Sequence, residues 1–202
     1  MLLNRLGFMN YLAHIFLSCN NEDIMIGNFI ADSISINEVD ALPEKVKKGI
    51  DLHRTIDSFT DTHDIVLRGI HRLQPFHRKY SSVVVDILYD HLLANNWELY
   101  SNISLPDFAQ QVYSIFSRRM EEMPARLKRN LPMMINKDWL NSYKTFEGLK
   151  FTREKMHIRT QFPSNFGAAV GHLQKDYELF NKEFNEFFPD AIKFVDNQCD
   201  CQ

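Results

Sequence analysis

Residues 52–63, Leu-His-Arg-Thr-Ile-Asp-Ser-Phe-Thr-Asp-Thr-His, hold the densest set of reactive side chains in the chain. His53, Asp57 and Asp61 stand four apart, so on a helix they form one stripe that drifts by about 40° per step. An imidazole in line with carboxylates is what a helix offers to a divalent cation; the plain alternative is a solvated polar face. A second stretch repeats the pattern independently. Between Val83 and Leu93, Asp86 and Asp90 are again four apart, and His91 follows the second. Two acids in such apolar company need a cation or an Arg or Lys partner, because a buried like-charged pair does not stay ionised unaided.

Two earlier residues join them. His14 lies beside the apolar stripe of Tyr11, Leu12, Ile15 and Phe16, and Asp32 ends the run Gly27-Asn28-Phe29-Ile30-Ala31-Asp32. Asp32 is either desolvated and partnered, or a helix-end cap facing water. The candidate ligands are therefore His14, Asp32, His53, Asp57, Asp61, Asp86, Asp90 and His91, with no sulfur among them. This donor mix suits Mn(II), Fe(II), Mg(II) or Zn(II), and octahedral Mn or Fe is the more natural where carboxylates dominate. Such an ion generates hydroxide near neutral pH and shields a phosphoryl oxygen, which points to hydrolysis of a phosphate ester.

Rival chemistries fit less well. A di-iron bundle needs two Glu-x-x-His elements, and only Glu154-x-x-His157 is clear. There is no Gly-x-Ser-x-Gly elbow, Walker loop or His-Glu-x-x-His.

The elements that must position these side chains read as helices. Apolar spacing predicts helix over residues 10–18, and the next apolar stretch runs over 24–34. Leu42-Pro43 signals the start of the helix carrying His53, whose end falls within residues 61–64. A helix over 65–73 is closed by Pro75. Residues 81–100 form the most apolar helix, their length without a turn signal outweighing the β-branched run Val83-Val84-Val85. Ser104 restarts a helix through Met120, and shorter pieces follow over 138–146 and 152–159. A last amphipathic helix opens at Ser164-Asn165, with Val170, Leu173, Tyr177, Phe180, Phe184 and Phe187 as a core stripe, until Pro189 interrupts or ends it. The expected fold is all-α, a single-domain helical bundle.

The 202 residues are enough for one domain with a sizeable core. Residues 1–8 read as an extension ahead of Met9, 9–195 as the domain and 196–202 as a tail. A formal charge of −3 gives no general bias toward nucleic acid, and no apolar run approaches a membrane span. Cys19, Cys199 and Cys201 make no disulfide framework, so a reduced cytoplasmic protein is expected.

Four motifs in order carry a resemblance: Met9-Asn10-Tyr11-Leu12-Ala13-His14; Gly27-Asn28-Phe29-Ile30-Ala31-Asp32; Gly49-Ile50-x-Leu52-His53-Arg54-x-Ile56-Asp57-x-Phe59-Thr60-Asp61; and Asp86-x-x-Tyr89-Asp90-His91-x-Leu93. From Met9 to about Trp97 the chain resembles the bacterial acyl carrier protein phosphodiesterases, helical metal-dependent hydrolases related to the HD-domain phosphohydrolases. The resemblance implies that His14, Asp32, His53, Asp57, Asp90 and His91 belong to the metal and catalytic centre, with Asp61 and Asp86 in or beside it. It also implies Mn(II) dependence and release of 4′-phosphopantetheine from holo-acyl carrier protein. The His-Asp dyad of the wider superfamily is present only reversed, as Asp90-His91.

On this reading Asp57 or Asp90 orients or deprotonates a water, Arg54 stabilises phosphoryl charge, and His91 or His63 protonates the leaving alkoxide. Arg54 serves equally as a structural partner of Asp57 or Asp61, and His63 as a surface residue. The basic stretch Arg118, Arg119, Arg126, Lys128 and Arg129 is either a steering patch for an acidic carrier protein or a solvated helix face. Two other readings stay open: an HD-like hydrolase of nucleotides or other small phosphodiesters, and a non-catalytic helical binding protein.

Overall fold

The computed structural model describes residues 11–149 and 166–199. Within them every regular element is helical, as an all-α bundle requires. The helix expected over 152–159, with Glu154 and His157, lies outside the described residues, as does the extension at 1–8.

Local signals set most of the helix ends. α1 (Tyr11–Phe16) runs into a turn whose Cys19 and Asn20 are left-handed, at φ 56° and 50°. Asn21 then caps α2 (Glu22–Ile30), its side-chain oxygen accepting the N–H groups of Asp23 and Ile24 at 3.0 and 3.2 Å. Ser35 and Glu38 close a capping box on α3 (Ile36–Val39), and Pro43 holds the cap position of α4 (Glu44–Thr62). His63 ends α4 and caps α5 (Asp64–His77), with Nδ1 accepting the Ile65 N–H at 3.3 Å. The apolar α6 (Ser81–Asn95) follows, then α7 (Leu105–Arg118), whose first turn contains Pro106 and is capped by Ser104. α8 (Ala125–Asn136), the short α9 (Trp139–Ser142), α10 (Phe166–Lys175) and α11 (Tyr177–Gln198) complete the described chain.

Pro75 and Pro189 do not act as the expected stops; both lie inside helices. An interior proline costs about 3 kcal/mol through its missing N–H and its clash with the preceding turn. Around Pro189, however, Phe184, Phe187, Phe188 and Ala191 are all buried. Each buried Phe is worth roughly 1.5–3 kcal/mol, so continuous packing on both sides outweighs the break. The last helix is instead divided at Asp176, between α10 and α11.

α6 lies at the centre, with α1, α5 and α11 packed on it and Val85, Leu92 and Leu93 fully buried. α2 crosses α4 more intimately than any other pair among the described residues. Gly27 and Gly49 make that possible: a Cβ on Gly27 would stand 2.0 Å from the Val46 carbonyl oxygen. α11 is held to α5 by a fork of two bonds from Arg72 to the buried Glu183, at 2.8 and 2.6 Å, with the guanidinium over the Phe180 ring.

The cysteines depart from the sequence reading. Cys19 and Cys199 form a disulfide that ties the α1–α2 turn to the end of α11. A sequence separation of 180 residues hid the pairing, since only the fold brings the two thiols together. α11 also runs through Gln198, so the first residues of the expected tail are helical.

Candidate functional site

The crossing of α2 and α4 sets two buried imidazoles against each other. α4 supplies His53, and α1, laid over the crossing, supplies His14; their rings stack at 4.0 Å between centroids, 22° from parallel. Both are almost fully buried, at 7% and 3% exposure. Beneath them lies Asn28 of α2, 1% exposed, whose Oδ1 is 2.9 Å from Nδ1 of His14 and 2.9 Å from Nδ1 of His53. Its Nδ2 donates to the His14 carbonyl at 2.7 Å and to Ser18 Oγ at 3.1 Å, while Ser18 Oγ donates to the same carbonyl at 2.8 Å.

The opposite ring edges face acid. Nε2 of His14 is 3.3 Å from Asp57 Oδ1, and Nε2 of His53 is 3.4 Å from Asp32 Oδ1 and 3.7 Å from Asp57 Oδ2. His53 and Asp57 sit one helical turn apart, as their spacing predicted. One donor atom from each of His14, His53 and Asp57 lies within 4.8 Å of the other two. His14 and Asp57 line a cavity of about 180 Å³, with His53 stacked behind His14, and its polar wall is completed by Asp32, Thr60, Asp61, Ser82 and Asp86. Leu17, Ile56, Tyr89, Phe184, Phe187 and Phe188 form its apolar wall. Among the described residues that line it there is no lysine or arginine.

Asp32, Asp57, Asp61 and Asp86 bring four carboxyl groups to this small cavity, and burial and their mutual repulsion act on the groups around it. Burial, then the charges of Asp57 and Asp61, push Asp86 well above the usual carboxylate range. Burial and the neighbouring His53 push His14 down, against the pull of Asp57. Burial also opposes charge on His53, but its bond to Asp32 and the Asp57 charge prevail and raise it. Two imidazole nitrogens with carboxylate donors beside them fit a hard or borderline divalent cation.

Not every candidate joins this group. Asp90 is fully buried and turned away from the cavity, accepting the N–H groups of Leu12 and Ala13 at 3.1 and 2.9 Å. It anchors the first turn of α1, and so the backbone that carries His14. Burial raises its pKa to about 7 despite those two bonds and a third from the Tyr143 hydroxyl. The drift of about 40° between positions four apart, with a rise of about 6 Å, separates Asp90 from Asp86. His91 does not line the cavity either: its Nδ1 bonds the Tyr143 carbonyl at 2.7 Å and its ring packs on Phe146, with burial lowering its pKa. Arg54 is exposed and pairs with Asp51 at 3.1 Å, because it follows His53 by one residue and a 100° turn takes it off the site's face. His63, with its capping bond and an Asp190 oxygen 3.5 Å from Nε2, is likewise engaged elsewhere.

The basic stretch is largely neutralised in place. Arg118 holds Glu22, Arg119 holds Asp23 and Glu122, and Lys128 holds Glu121. Arg126, on α8, lies near enough to Tyr11 to act on its phenol. The residue that sequence reasoning passed over is Asn28. Its signal was an amide in the middle of an otherwise apolar run, between Gly27 and Phe29.

A family model described as acyl carrier protein phosphodiesterase matches residues 9–191. Proteins named acyl carrier protein phosphodiesterase are similar over most of their length. One from Yersinia pestis is 27% identical over 186 residues, covering 92% of this chain and 96% of that protein. One from Photorhabdus laumondii is 26% identical over 191 residues, covering 94% and 96%. One from Escherichia coli is 27% identical over 188 residues, covering 90% and 94%. No solved structure matches the chain.

Proposed function

The chain belongs to the acyl carrier protein phosphodiesterase family, and we propose that its cavity hydrolyses the phosphodiester joining 4′-phosphopantetheine to the serine of holo-acyl carrier protein. The products are apo-acyl carrier protein and 4′-phosphopantetheine. The observation that carries this reading is the cluster of His14, His53 and Asp57, with Asp32 beside them, at the wall of an acidic cavity that His14, Asp32 and Asp57 line.

A divalent ion, Mn(II) by the family's chemistry, would be held by His14, His53 and Asp57, with Asp32 beside them. When bound, it supplies positive charge against the phosphoryl oxygens and lowers the pKa of water. The protein's own groups do the rest. Asp57 and Asp61, one turn apart on α4 and both on the cavity wall, orient the attacking water and take its proton. Asp86, on the facing helix, has a buried carboxyl held well above the usual carboxylate range and is placed to return a proton to the serine alkoxide. Phe184, Phe187 and Phe188 restrict water and receive the apolar part of the pantetheine arm. The cytoplasm is the proposed place of action, with the Cys19–Cys199 pair reduced there.

Turnover measured with Mn(II) on holo-acyl carrier protein and on a panel of nucleotide phosphodiesters tests this reading. It requires the carrier protein to be the preferred substrate by kcat/KM. Equal or better hydrolysis of a nucleotide would assign the cavity to small phosphodiesters instead.

A further inference from the structure

Asn28 does more than fill space between the two imidazoles. We infer that it is a positioning residue that fixes both rings in the Nδ1–H form, so that His14 and His53 offer the same nitrogen, Nε2, to a divalent ion. This rests on the ion-binding reading of the cavity and adds the atom by which each ring binds.

The orientation of the amide is decided by its own neighbours. Ser18 Oγ donates its single hydrogen to the His14 carbonyl, so toward Asn28 it is an acceptor. Both groups around the far end of the Asn28 side chain, Ser18 Oγ and the His14 carbonyl, therefore require a donor, and the NH2 must point there. Oδ1 is left facing the two rings. An amide oxygen only accepts, so each Nδ1 at 2.9 Å must carry hydrogen. The other tautomer would put two nitrogen lone pairs against one buried oxygen. A neutral ring with hydrogen on Nδ1 has its lone pair on Nε2, and those are the atoms that face Asp57 and Asp32.

One buried oxygen thus serves two metal-ligand candidates from different helices. That also explains the buried Ser18, whose hydroxyl is needed to hold the amide the right way round. Outer partners of histidine ligands commonly change metal affinity by about 10–100-fold when removed.

Two isosteric substitutions separate the inference from a purely structural role. Asn28→Asp keeps an oxygen toward the rings and loses the NH2; Asn28→Leu loses both. Zn(II), which is diamagnetic, serves as the probe, with ¹H–¹⁵N correlation of the imidazoles at mildly alkaline pH and calorimetric titration. In the wild-type protein loaded with Zn(II), both rings should show hydrogen on Nδ1 and the coordinated shift on Nε2. Asn28→Leu should weaken Zn(II) binding by about 10–100-fold, and Asn28→Asp should recover most of that loss. Hydrogen on Nε2, or coordination through Nδ1, in either wild-type ring overturns the inference, whether or not the variants fold. So does an Asn28→Asp protein that falls as far as Asn28→Leu, since that is the pattern of a scaffold contact made by the NH2. Failure to take up Zn(II) at all sinks the ion reading itself, and uptake with the wrong tautomer sinks only this assignment.

Discussion

Gly27 and Gly49 touch backbone to backbone where α2 crosses α4: a Cβ on Gly49 would lie 2.2 Å from the Ile24 carbonyl oxygen and 2.9 Å from Gly27 Cα. That contact sets the distance between the helix bearing Asn28 and Asp32 and the helix bearing His53 and Asp57. Gly49→Ala should therefore cost more than the usual helix-favouring gain of a Gly→Ala change. A net loss of about 1–3 kcal/mol in urea denaturation is expected, with weakened ion uptake. Unchanged or greater stability of the Gly49→Ala protein would show that the helices are free to separate.

Asp90 should reveal itself through pH rather than through metal. Its folded pKa of about 7 lies above the ordinary carboxylate value. A raised carboxylate means that the native state binds the proton more tightly than the unfolded one. The stability it contributes is complete below about pH 4 and is lost as pH rises through 7, with a slope of at most about 1.4 kcal/mol per unit. Asn at this position removes the titration. Denaturation of wild type and Asp90→Asn across that window should give curves whose difference slopes in this direction; parallel curves would count against it.

Ion uptake should follow the opposite course. The raised pKa of His53 means that a proton competes with the ion up to neutral pH, whereas His14, pushed down, competes only at lower pH. Mn(II) affinity is then full in mildly alkaline buffer and falls by about tenfold per pH unit once the His53 pKa is passed on the way down. Calorimetric titrations at several pH values read this directly, and a pH-independent affinity would place the ion away from the imidazoles.

The Arg72–Glu183 pair joins α5 to the helix that walls the cavity, with only 6% of the Glu183 side chain exposed. Glu183→Ala leaves the guanidinium without its carboxylate and should cost about 3 kcal/mol, near the low end for a broken buried pair because Arg72 reaches solvent. Chemical denaturation measures the loss. A cost under about 0.5 kcal/mol would mark the pair as an ordinary surface contact.

Arg126 and Arg129 are the members of the basic stretch to reverse when carrier-protein docking is tested, since Arg118, Arg119 and Lys128 each hold a local carboxylate. Arg126→Glu with Arg129→Glu should raise KM for the carrier protein severalfold while sparing a small phosphodiester. Equal effects on both substrates would rule out a docking role for this stretch.

Much of this architecture was legible because it rests on short-range physics. Pro43 and Ser104 marked helix starts, and spacing of four placed His53 above Asp57, whereas the caps Asn21 and Ser35 were not read as such. The same rule placed Asp86 and Asp90 on one stripe but said nothing of which neighbour each would meet. Asp90 met the open end of α1, and Asp86 met the cavity. Arg54 was drawn in by adjacency in sequence, which on a helix means a different face. The disulfide and the tolerance of Pro189 depend on contacts far along the chain. Asn28 went unremarked because an amide shows its importance only when both of its ends have partners.

Whether the cavity releases 4′-phosphopantetheine is decided by the mass of holo-acyl carrier protein after incubation with enzyme and Mn(II), with His53→Ala run alongside. A shift to the apo mass is expected with the wild-type enzyme, equal to loss of 4′-phosphopantetheine, and no shift with the variant. An unchanged mass with wild type, or full conversion by His53→Ala, would contradict that function.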